Sequence, residues 1–408
     1  MKRKYVWPEA HWSWQEPVTH KHGIRDGEMI FVGGEVDMDK ACTIRHPGDI
    51  HGQTEGVMDN IGIILEECDA DYDDIVKLVV FYENNGDVDE TALLEQIAQR
   101  FSGPALPAVA VVPLPVLAWP DLKVEIEAIA MRAVDGSRMA KTVARPANHW
   151  DWPFSHGVRC GEYIYVGTQM PLDGNGQVRH PDDIVKQAAL NIENLDAVLA
   201  ELGADRADVC RINTFYLGHG TADDWKNAGE IRGRAFEWPG PVGTGVPVPA
   251  LYPAGVTQRQ ESFAMRALND GRLERIALRP EGHWDWPSPI NFQQVVKSGR
   301  MIYVGGQVSA EGATRALHPN DLEAQTHEVM RNIERCLQAV GAELDDIVKM
   351  NTFFKGGADF EHPIRYFRIR STYFSDPGPT TTGVPLERIA LEGLELEIEA
   401  YALVDDRV

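Results

Sequence analysis

The sequence predicts an α+β protein made of three tandem copies of one unit, and three observations support this prediction. A motif with one histidine and two tryptophans occurs three times in a chain that has only ten tryptophans. Strand and helix patterns follow each motif in the same order. The motif recurs every 134 to 138 residues, the size of a domain rather than of a solenoid repeat of roughly 20 to 50 residues. The copies read PEAHWSW at 8–14, PANHWDW at 146–152 and PEGHWDW at 280–286.

Each unit continues with an apolar strand that ends in glycine, followed by a His-Pro loop. The strands are EMIFVGGEV at 28–36, EYIYVGTQM at 162–170 and RMIYVGGQV at 300–308. The loops contain His46, His180 and His318, and each is expected to lead into a helix. In the third copy, Pro319 and Asp321 favour a helix start, and apolar residues then recur at helical spacing. That apolar stripe consists of Leu322, Met330, Ile333, Leu337 and Val340.

A strand, a second helical stretch and a closing strand complete each unit. The middle strands DIVKLVVFY, DVCRINTFY and DIVKMNTFF are rich in the β-branched and aromatic residues that strands prefer. Each second helical stretch leads to a Gly-Pro pair, at 103–104, 240–241 or 378–379. The closing strands are VEIEAIAMR at 124–132, QRQESFAMR at 258–266 and LEIEAYALV at 396–404. The third of them alternates apolar residues with glutamates, which predicts a half-buried strand.

Polar segments at 133–145 and 267–279, where the periodicity lapses, separate the copies. The sequence therefore predicts three domains, at 1–135, 136–270 and 271–408. A domain of this length can bury a core of its own.

Composition favours a protein that binds neither nucleic acid nor membrane. The chain has 408 residues, of which 43% are hydrophobic, and a net charge of −23. Nucleic acid attracts clustered lysine and arginine rather than an acidic chain. No run approaches the roughly 20 apolar residues of a membrane span, and no apolar stretch follows the basic start, so we expect no signal peptide. Five cysteines without CxxC spacing indicate small buried side chains and a cytoplasmic location.

These ordered landmarks resemble the reactive-intermediate deaminase family, also called RidA or YjgF-like. The third copy matches most completely, at Gly306-Gln307, Gln325, Asn332-Ile333, Asp346 to Lys349, and Glu397 to Ala402. The resemblance implies a chorismate-mutase-like fold in each unit. It also implies that three units associate, with sheets inside, helices outside and ligand clefts between neighbours. We therefore expect a monomeric pseudo-trimer that binds a small molecule, and whether it forms a further homo-oligomer stays open.

The arginine with which deaminases of this family hold a substrate carboxylate is absent from all three copies. In the resemblance that arginine belongs to a PAR segment, and a guanidinium pairs bidentately with a carboxylate. The corresponding segments are PALPAV, PVGTGV and PTTTGV, which place Leu106, Gly243 and Thr381 at that position. Thr381 keeps a polar side chain there and is included among the candidate substrate-binding residues.

Glutamates of the closing strands are the candidate catalytic groups. The resemblance implies that the first glutamate of EIE holds or activates a water. Glu125 and Glu397 match it, whereas the second copy has Arg259. A glutamate beside an imine carbon can act as general acid or base. The alternative is that these residues lie on the solvent face of an alternating strand. The second glutamates, present in all three copies, are Glu127, Glu261 and Glu399.

The His-Trp motif lies before the first strand, in a region that runs near the cleft in the family. His149 and His283 are candidate acids or bases, and His11 is a candidate binding residue. Arg145 and Arg279 stand four residues before two of these histidines and are candidates to replace the missing arginines. Tryptophans form flat walls for a planar ring or a cage for a cation. The candidate ligand-binding tryptophans are Trp12, Trp150, Trp152, Trp284 and Trp286.

An interface plug is the alternative interpretation of the motif, since the same rings would fill a groove between units. Neither a CxxC pair nor closely spaced histidines support a metal site, so we expect no metal and no other cofactor.

Three functions stay open. The first is hydrolytic deamination, or related C–N hydrolysis, of a small enamine or imine intermediate of cyclic or aromatic type. The second is a non-catalytic protein that binds a small ligand or acts as a scaffold, which the loss of three arginines favours. The third is hydrolysis of a cyclic amide, which ranks lower because no Ser-Lys pair repeats in register.

Overall fold

The computed structural model describes residues 3–9, 11–14, 16–286, 290–312, 314–358 and 361–404, apart from the side chain of residue 362. These residues form three six-stranded sheets, one from each copy, and each sheet packs against long helices. The α+β class with three tandem units is therefore confirmed. None of the helices in the described ranges combines the length and apolarity needed to cross a membrane.

The first unit sets the pattern. Its elements are β1 (Lys4–Val6), β2 (Gly23–Asp26), β3 (Met29–Glu35), α1 (Ile50–Glu67), β4 (Ile75–Glu83), α2 (Glu90–Ala98), β5 (Ala108–Leu114) and β6 (Val124–Met131). The sheet order is β1-β2-β3-β6-β4-β5, in which β4 and β5 are parallel and all other neighbours are antiparallel. Because parallel strands need a crossover, α2 connects β4 to β5.

The second and third units repeat this order. The second comprises β7 (Lys141–Ala144), β8 (Gly157–Cys160), β9 (Tyr163–Gln169), α3 (Ile184–Glu201), β10 (Val209–Leu217), α4 (Ala222–Arg234), β11 (Val242–Val248) and β12 (Gln258–Met265). The third comprises β13 (Arg275–Leu278), β14 (Val295–Ser298), β15 (Met301–Gln307), β16 (Ala310–Glu311), β17 (Arg315–Ala316), α5 (Leu322–Ala339), β18 (Ile347–Lys355), α6 (Glu361–Ser371), β19 (Thr380–Leu386) and β20 (Leu396–Leu403). It adds only the small hairpin of β16 and β17 to the common pattern.

Each long helix begins at an aspartate just after the His-Pro loop. Asp49, Asp183 and Asp321 each accept a hydrogen bond from a main-chain N–H of the first turn. These caps satisfy N–H groups that have no partner within a helix. The predicted helix start after each loop is therefore confirmed, and Asp321 is the capping residue of the third helix.

The three units close into a ring through pairs of neighbouring strands. β5 lies beside β9, β11 beside β15, and β19 beside β3, so the third unit returns to the first. Glycine makes this approach possible at Gly33, Gly167 and Gly305. A Cβ at any of them would lie 2.7 to 2.9 Å from a main-chain carbonyl oxygen of the neighbouring unit. The glycine that ends each predicted strand is thus required at an interface between units.

Charged side chains link the units on the inner side of the ring. In each pair the cation comes from one unit and the glutamate from the next. The pairs are Lys77–Glu261 at 2.5 Å, Lys349–Glu127 at 2.9 Å, and Arg211–Glu399. All six residues are buried. The second glutamate of each closing strand therefore holds the pseudo-trimer together rather than facing a cleft.

The prediction of a half-buried closing strand is wrong. All eight residues of β20 are buried, and the same holds for β6 and β12. The alternation is real, but the polar face of each strand meets the neighbouring units instead of solvent. The association of three units is what turns this face inward.

Candidate functional site

One cleft lies at each of the three unit interfaces, and one residue of the closing strand distinguishes it. The Glu397 cleft lies between the second and third units, the Glu125 cleft between the third and first, and the Arg259 cleft between the first and second. Glu125 and Glu397, the candidate catalytic residues, each line one of these clefts. The three clefts differ in volume and in chemistry.

The Glu397 cleft contains an aromatic cavity of about 100 Å³. This volume exceeds the roughly 10 to 15 Å³ that one water needs, so the cavity has room for a small organic molecule. The carboxylate of Glu397 lines it and accepts a hydrogen bond from the main-chain N–H of Gly245, across the unit interface. Gly306 packs against this carboxylate, since a Cβ there would lie 1.8 Å from Glu397 Oε1.

Burial changes the protonation of Glu397. Desolvation, together with the nearby charge of Glu399, raises the pKa of Glu397 to about 8, although the Gly245 N–H and Arg211 oppose this change. The side chain is therefore largely a neutral acid at pH 7, and it can donate a proton to a bound molecule.

Aromatic rings form the walls of the same cavity. Trp284 and Trp286 of the third His-Trp motif lie edge to face with ring centroids 5.0 Å apart, and Trp225 and Phe292 complete the lining. The indole N–H of Trp284 is buried and has no hydrogen-bond partner among the described residues. Flat walls with one free donor suit a planar ligand that carries an acceptor.

Arg232 supplies a positive charge to this cavity. It comes from α4, is buried, and its Nη1 donates to Gln258 Oε1 at 2.6 Å. Burial lowers the pKa of Arg232 to about 10, still well above neutrality, with Tyr216 opposing the change. No carboxylate of the described residues lies within ion-pair distance of it. A buried guanidinium without an anion is a natural partner for an anionic ligand group.

Sequence reasoning did not find Arg232. Its counterpart in the third unit is Arg370 of α6, whose Nη1 donates to Thr352 Oγ1 at 2.6 Å. Both arginines stand eight residues before the glycine of a Gly-Pro pair, Gly240 or Gly378. That shared spacing is the signal that would have identified them.

The Glu125 cleft has the same acid but little space. Glu125 accepts a hydrogen bond from the Gly383 N–H, and desolvation together with Glu127 raises its pKa to about 8, with Lys349 opposing. The open volume is only about 30 Å³, which holds about two waters. Trp14 packs against Phe367 here, with ring centroids 5.0 Å apart, and leaves no room for a larger ligand.

The Arg259 cleft has neither the glutamate of the other two clefts nor the glycine that packs against it, which is Gly34 or Gly306 there. Nη1 of Arg259 pairs with Glu90 at 2.7 Å and donates to the Val111 carbonyl at 3.0 Å. Thr168 takes the place of the glycine, and its Oγ1 accepts the Val111 N–H at 2.9 Å. This hydroxyl replaces the glutamate as partner of the main-chain N–H. Trp150 and Trp152 line a groove of about 630 Å³ beside Arg259.

The histidines of the motif hold the end of the neighbouring strand. His11 Nε2 lies 2.8 Å from Glu35 Oε2, and His149 Nε2 lies 3.0 Å from Gln169 Oε1. His283 lies beside Gln307, the equivalent residue of the third unit. Burial lowers the pKa of His149 and of His283, so these rings are neutral at pH 7. His149 and His283 remain untested as acids or bases, but these contacts account for their presence.

The tryptophans of the motif have positions that fit both interpretations drawn from the sequence, a ligand-binding wall and an interface plug. Trp12 and Trp14 line the Glu125 cleft, Trp150 and Trp152 the Arg259 groove, and Trp284 and Trp286 the Glu397 cavity. The rings therefore pack between units and also face the space in which a ligand would bind.

Arg145 and Arg279 are used within the loops of the motif. Arg145 Nη1 donates to the Trp152 carbonyl at 3.1 Å. Arg279 Nε donates to the Phe292 carbonyl at 2.9 Å, and its Nη1 pairs with Asp285 at 2.8 Å. Neither guanidinium lines one of the three clefts, so Arg232 is the better candidate to replace the missing arginine.

The sheet register corrects the residue that the sequence analysis placed at the family arginine position in the first copy. Pairing of β4 with β5 and of β18 with β19 makes Val109 the counterpart of Thr381 and Gly243, so the assignment of Leu106 to that position is wrong. Thr381 lines the Glu125 cleft. None of the three residues carries a positive charge, so the absence of the family arginine stands.

Together, the three fused units and the clefts between them define a protein that contains a whole trimer in one chain. A family model described as Endoribonuclease L-PSP matches residues 15–132, 146–257 and 286–404. The chain therefore belongs to this family, to which the RidA-like and YjgF-like proteins also correspond, and it contains three tandem copies of the family unit.

Similar proteins match either one unit or most of the chain. A RutC family protein of Saccharolobus solfataricus is 34% identical over 117 residues, which cover 28% of this chain and 90% of that protein. A 2-iminobutanoate/2-iminopropanoate deaminase of Salmonella typhimurium is 28% identical over 112 residues, or 28% of this chain and 86% of that protein. The crystal structure of a chorismatase covers 81% of this chain and 93% of its own, with a TM-score of 0.55 and 15% identity. At that identity the likeness concerns the fold alone.

Proposed function

We propose that the protein is a hydrolase that cleaves a C–N bond of a small, planar imine or enamine in the Glu397 cleft. The observation that carries the proposal is the buried acid Glu397, whose side chain lines an aromatic cavity with room for a small molecule. Its pKa of about 8 keeps it largely protonated at pH 7. The deaminase names of relatives such as the Salmonella typhimurium protein support the reaction class.

The reaction needs only one group that gives and takes protons. Glu397 protonates the imine nitrogen, and its carboxylate then removes a proton from the water whose oxygen bonds to the imine carbon. The acid next protonates the amine of this adduct. The C–N bond breaks as the carboxylate takes the hydroxyl proton, so imine and water yield a carbonyl compound and ammonia, with Glu397 protonated again.

Arg232 and the tryptophans determine which substrate fits. The guanidinium of Arg232 favours a molecule with a carboxylate or another anionic group. The rings of Trp284 and Trp286 favour a flat, cyclic or aromatic body. RNA is not proposed as substrate, although the family description names an endoribonuclease, because a chain of net charge −23 repels a polyanion.

Ammonia release from a panel of carboxylated imines and enamines tests the proposal. We expect turnover by the native chain and at least a 100-fold loss of kcat in Glu397→Gln. Glu125→Gln is the matched control, because it changes the same acid in the cleft with little space, and it is expected to keep activity. Equal loss in both variants would contradict the choice of cleft.

The non-catalytic alternative predicts binding without chemistry. Saturable quenching of tryptophan fluorescence by a panel compound that is never converted would support it. The panel also includes a cyclic amide, and it includes chorismate because the structural neighbour is called a chorismatase; conversion of either compound would change the reaction class while keeping the site.

A further inference from the structure

The first unit brings together two histidines and a glutamate that no sequence motif connects. His11 belongs to the His-Trp motif, His22 precedes β2, and Glu35 ends β3. Each offers one ligand atom, and these atoms all lie within 4.8 Å of one another. All three side chains are buried, with relative exposures of 4%, 4% and 0%.

Contacts around the cluster fix the orientation of its donors. His22 Nδ1 lies 2.8 Å from Glu35 Oε1, and its Nε2 donates to the Trp12 carbonyl at 3.0 Å. The indole N–H of Trp12 donates to Glu35 Oε2 at 2.8 Å. Histidines that bind metals usually donate their other ring N–H to a carbonyl or carboxylate, as His22 Nε2 does to the Trp12 carbonyl, and this leaves Nδ1 as the atom available to an ion.

The other two units lack the complete set. The second unit keeps both rings, His149 and His156, but has Gln169 in place of the carboxylate. The Nδ1 of His156 is buried there without a partner among the described residues. In the third unit, Gln307 donates to Gln294 at 3.0 Å, so neutral amides replace both the carboxylate and one ring.

We propose that His11, His22 and Glu35 bind one divalent transition-metal ion, with zinc as the ion that this donor set suits best. Two imidazole nitrogens and one carboxylate are the ligands of open zinc sites, which keep a fourth position for water. His22 and Glu35 also line the 30 Å³ space of the Glu125 cleft, which is large enough for such a water.

A further acidic residue borders the proposed site. Glu125 lines the same small space as His22 and Glu35. This proposal does not depend on the reaction assigned to the Glu397 cleft.

Zinc titration of the chelator-treated full chain, followed by calorimetry, tests the site. The native chain is expected to bind one zinc ion. Glu35→Gln introduces the amide already present at this position in the other two units, and it is expected to abolish binding. Gln169→Glu completes the set in the second unit and is expected to raise the stoichiometry to two. Trp12→Phe is expected to weaken binding by roughly 10- to 100-fold, because it removes the indole donor to the carboxylate.

Two results would overturn the proposal. One is a folded native chain, judged by circular dichroism, that binds no zinc. The other is a Glu35→Gln chain that still binds one ion. If Glu35→Gln does not fold, the stoichiometry of the Gln169→Glu chain decides, since a second ion supports the site and an unchanged value rejects it.

Discussion

The raised pKa of Glu397 makes the free energy of unfolding depend on pH, and Glu397→Gln is expected to remove this dependence. In the folded chain, burial and the nearby Glu399 raise the pKa of this side chain to about 8, whereas its ordinary value is 4.5. The folded state thus holds the proton more tightly than the unfolded state does. The stabilisation is complete below pH 4.5 and is lost as pH rises towards 8.

The size of this effect follows from the two pKa values. Moving from 4.5 to about 8 corresponds to a loss of at most about 5 kcal/mol, at about 1.36 kcal/mol per pH unit. Glu397→Gln mimics the neutral acid and does not titrate. The variant is expected to match the native chain near pH 4 and to be the more stable of the two at pH 9, by up to that amount.

Urea unfolding at several pH values between 4 and 9 measures the difference directly. Comparing native and variant chains at each pH cancels the titration of groups that do not interact with Glu397. Glu125→Gln should show the same trend, because burial raises the pKa of Glu125 to about 8 as well. Glu193→Gln, on the exposed face of α3, is the control and is expected to show no such trend.

A flat difference between the native chain and Glu397→Gln across this pH range would refute the reasoning. It would mean that Glu397 is ionised in the folded chain at neutral pH. The proton donor required by the proposed reaction would then be absent.

Three further outcomes are expected. Gly306→Ala places a Cβ 1.8 Å from the carboxylate of Glu397 and should lower kcat at least 10-fold in the ammonia assay. Gly34→Ala creates the same clash with Glu125, at 1.9 Å, in the smaller cleft and should leave kcat unchanged. Lys77→Met strands the buried Glu261 and should cost about 3 to 5 kcal/mol in urea unfolding, while adding Glu261→Gln should recover most of it; equal loss in both chains would argue against the ion pair. Arg232→Met should raise KM for carboxylated substrates roughly 100-fold with little change in kcat, and an unchanged KM would show that the anion binds elsewhere.

Local patterns carried most of the fold. The strand β18 is β-branched and aromatic, and the helix from Leu322 repeats apolar residues at helical spacing, so a local pattern in the sequence was enough to predict each element. Threefold repetition of these patterns, read together with the family resemblance, also predicted the pseudo-trimer. The sequence alone also indicated that the second copy has Arg259 at the position occupied by Glu125 and Glu397 in the other two copies.

Contacts between distant parts of the chain decided the site. Arg232 reaches the cavity only because α4 packs beside a neighbouring unit, and His22 meets His11 and Glu35 only after β2 and β3 pair. Likewise, the glutamates of β20 read as a solvent face until the units associate. Periodicity indicates whether a residue lies on a polar or an apolar face. The surface that packs against that face is set by contacts between segments far apart in sequence. Those contacts determine which carboxylates ionise and which cleft stays open.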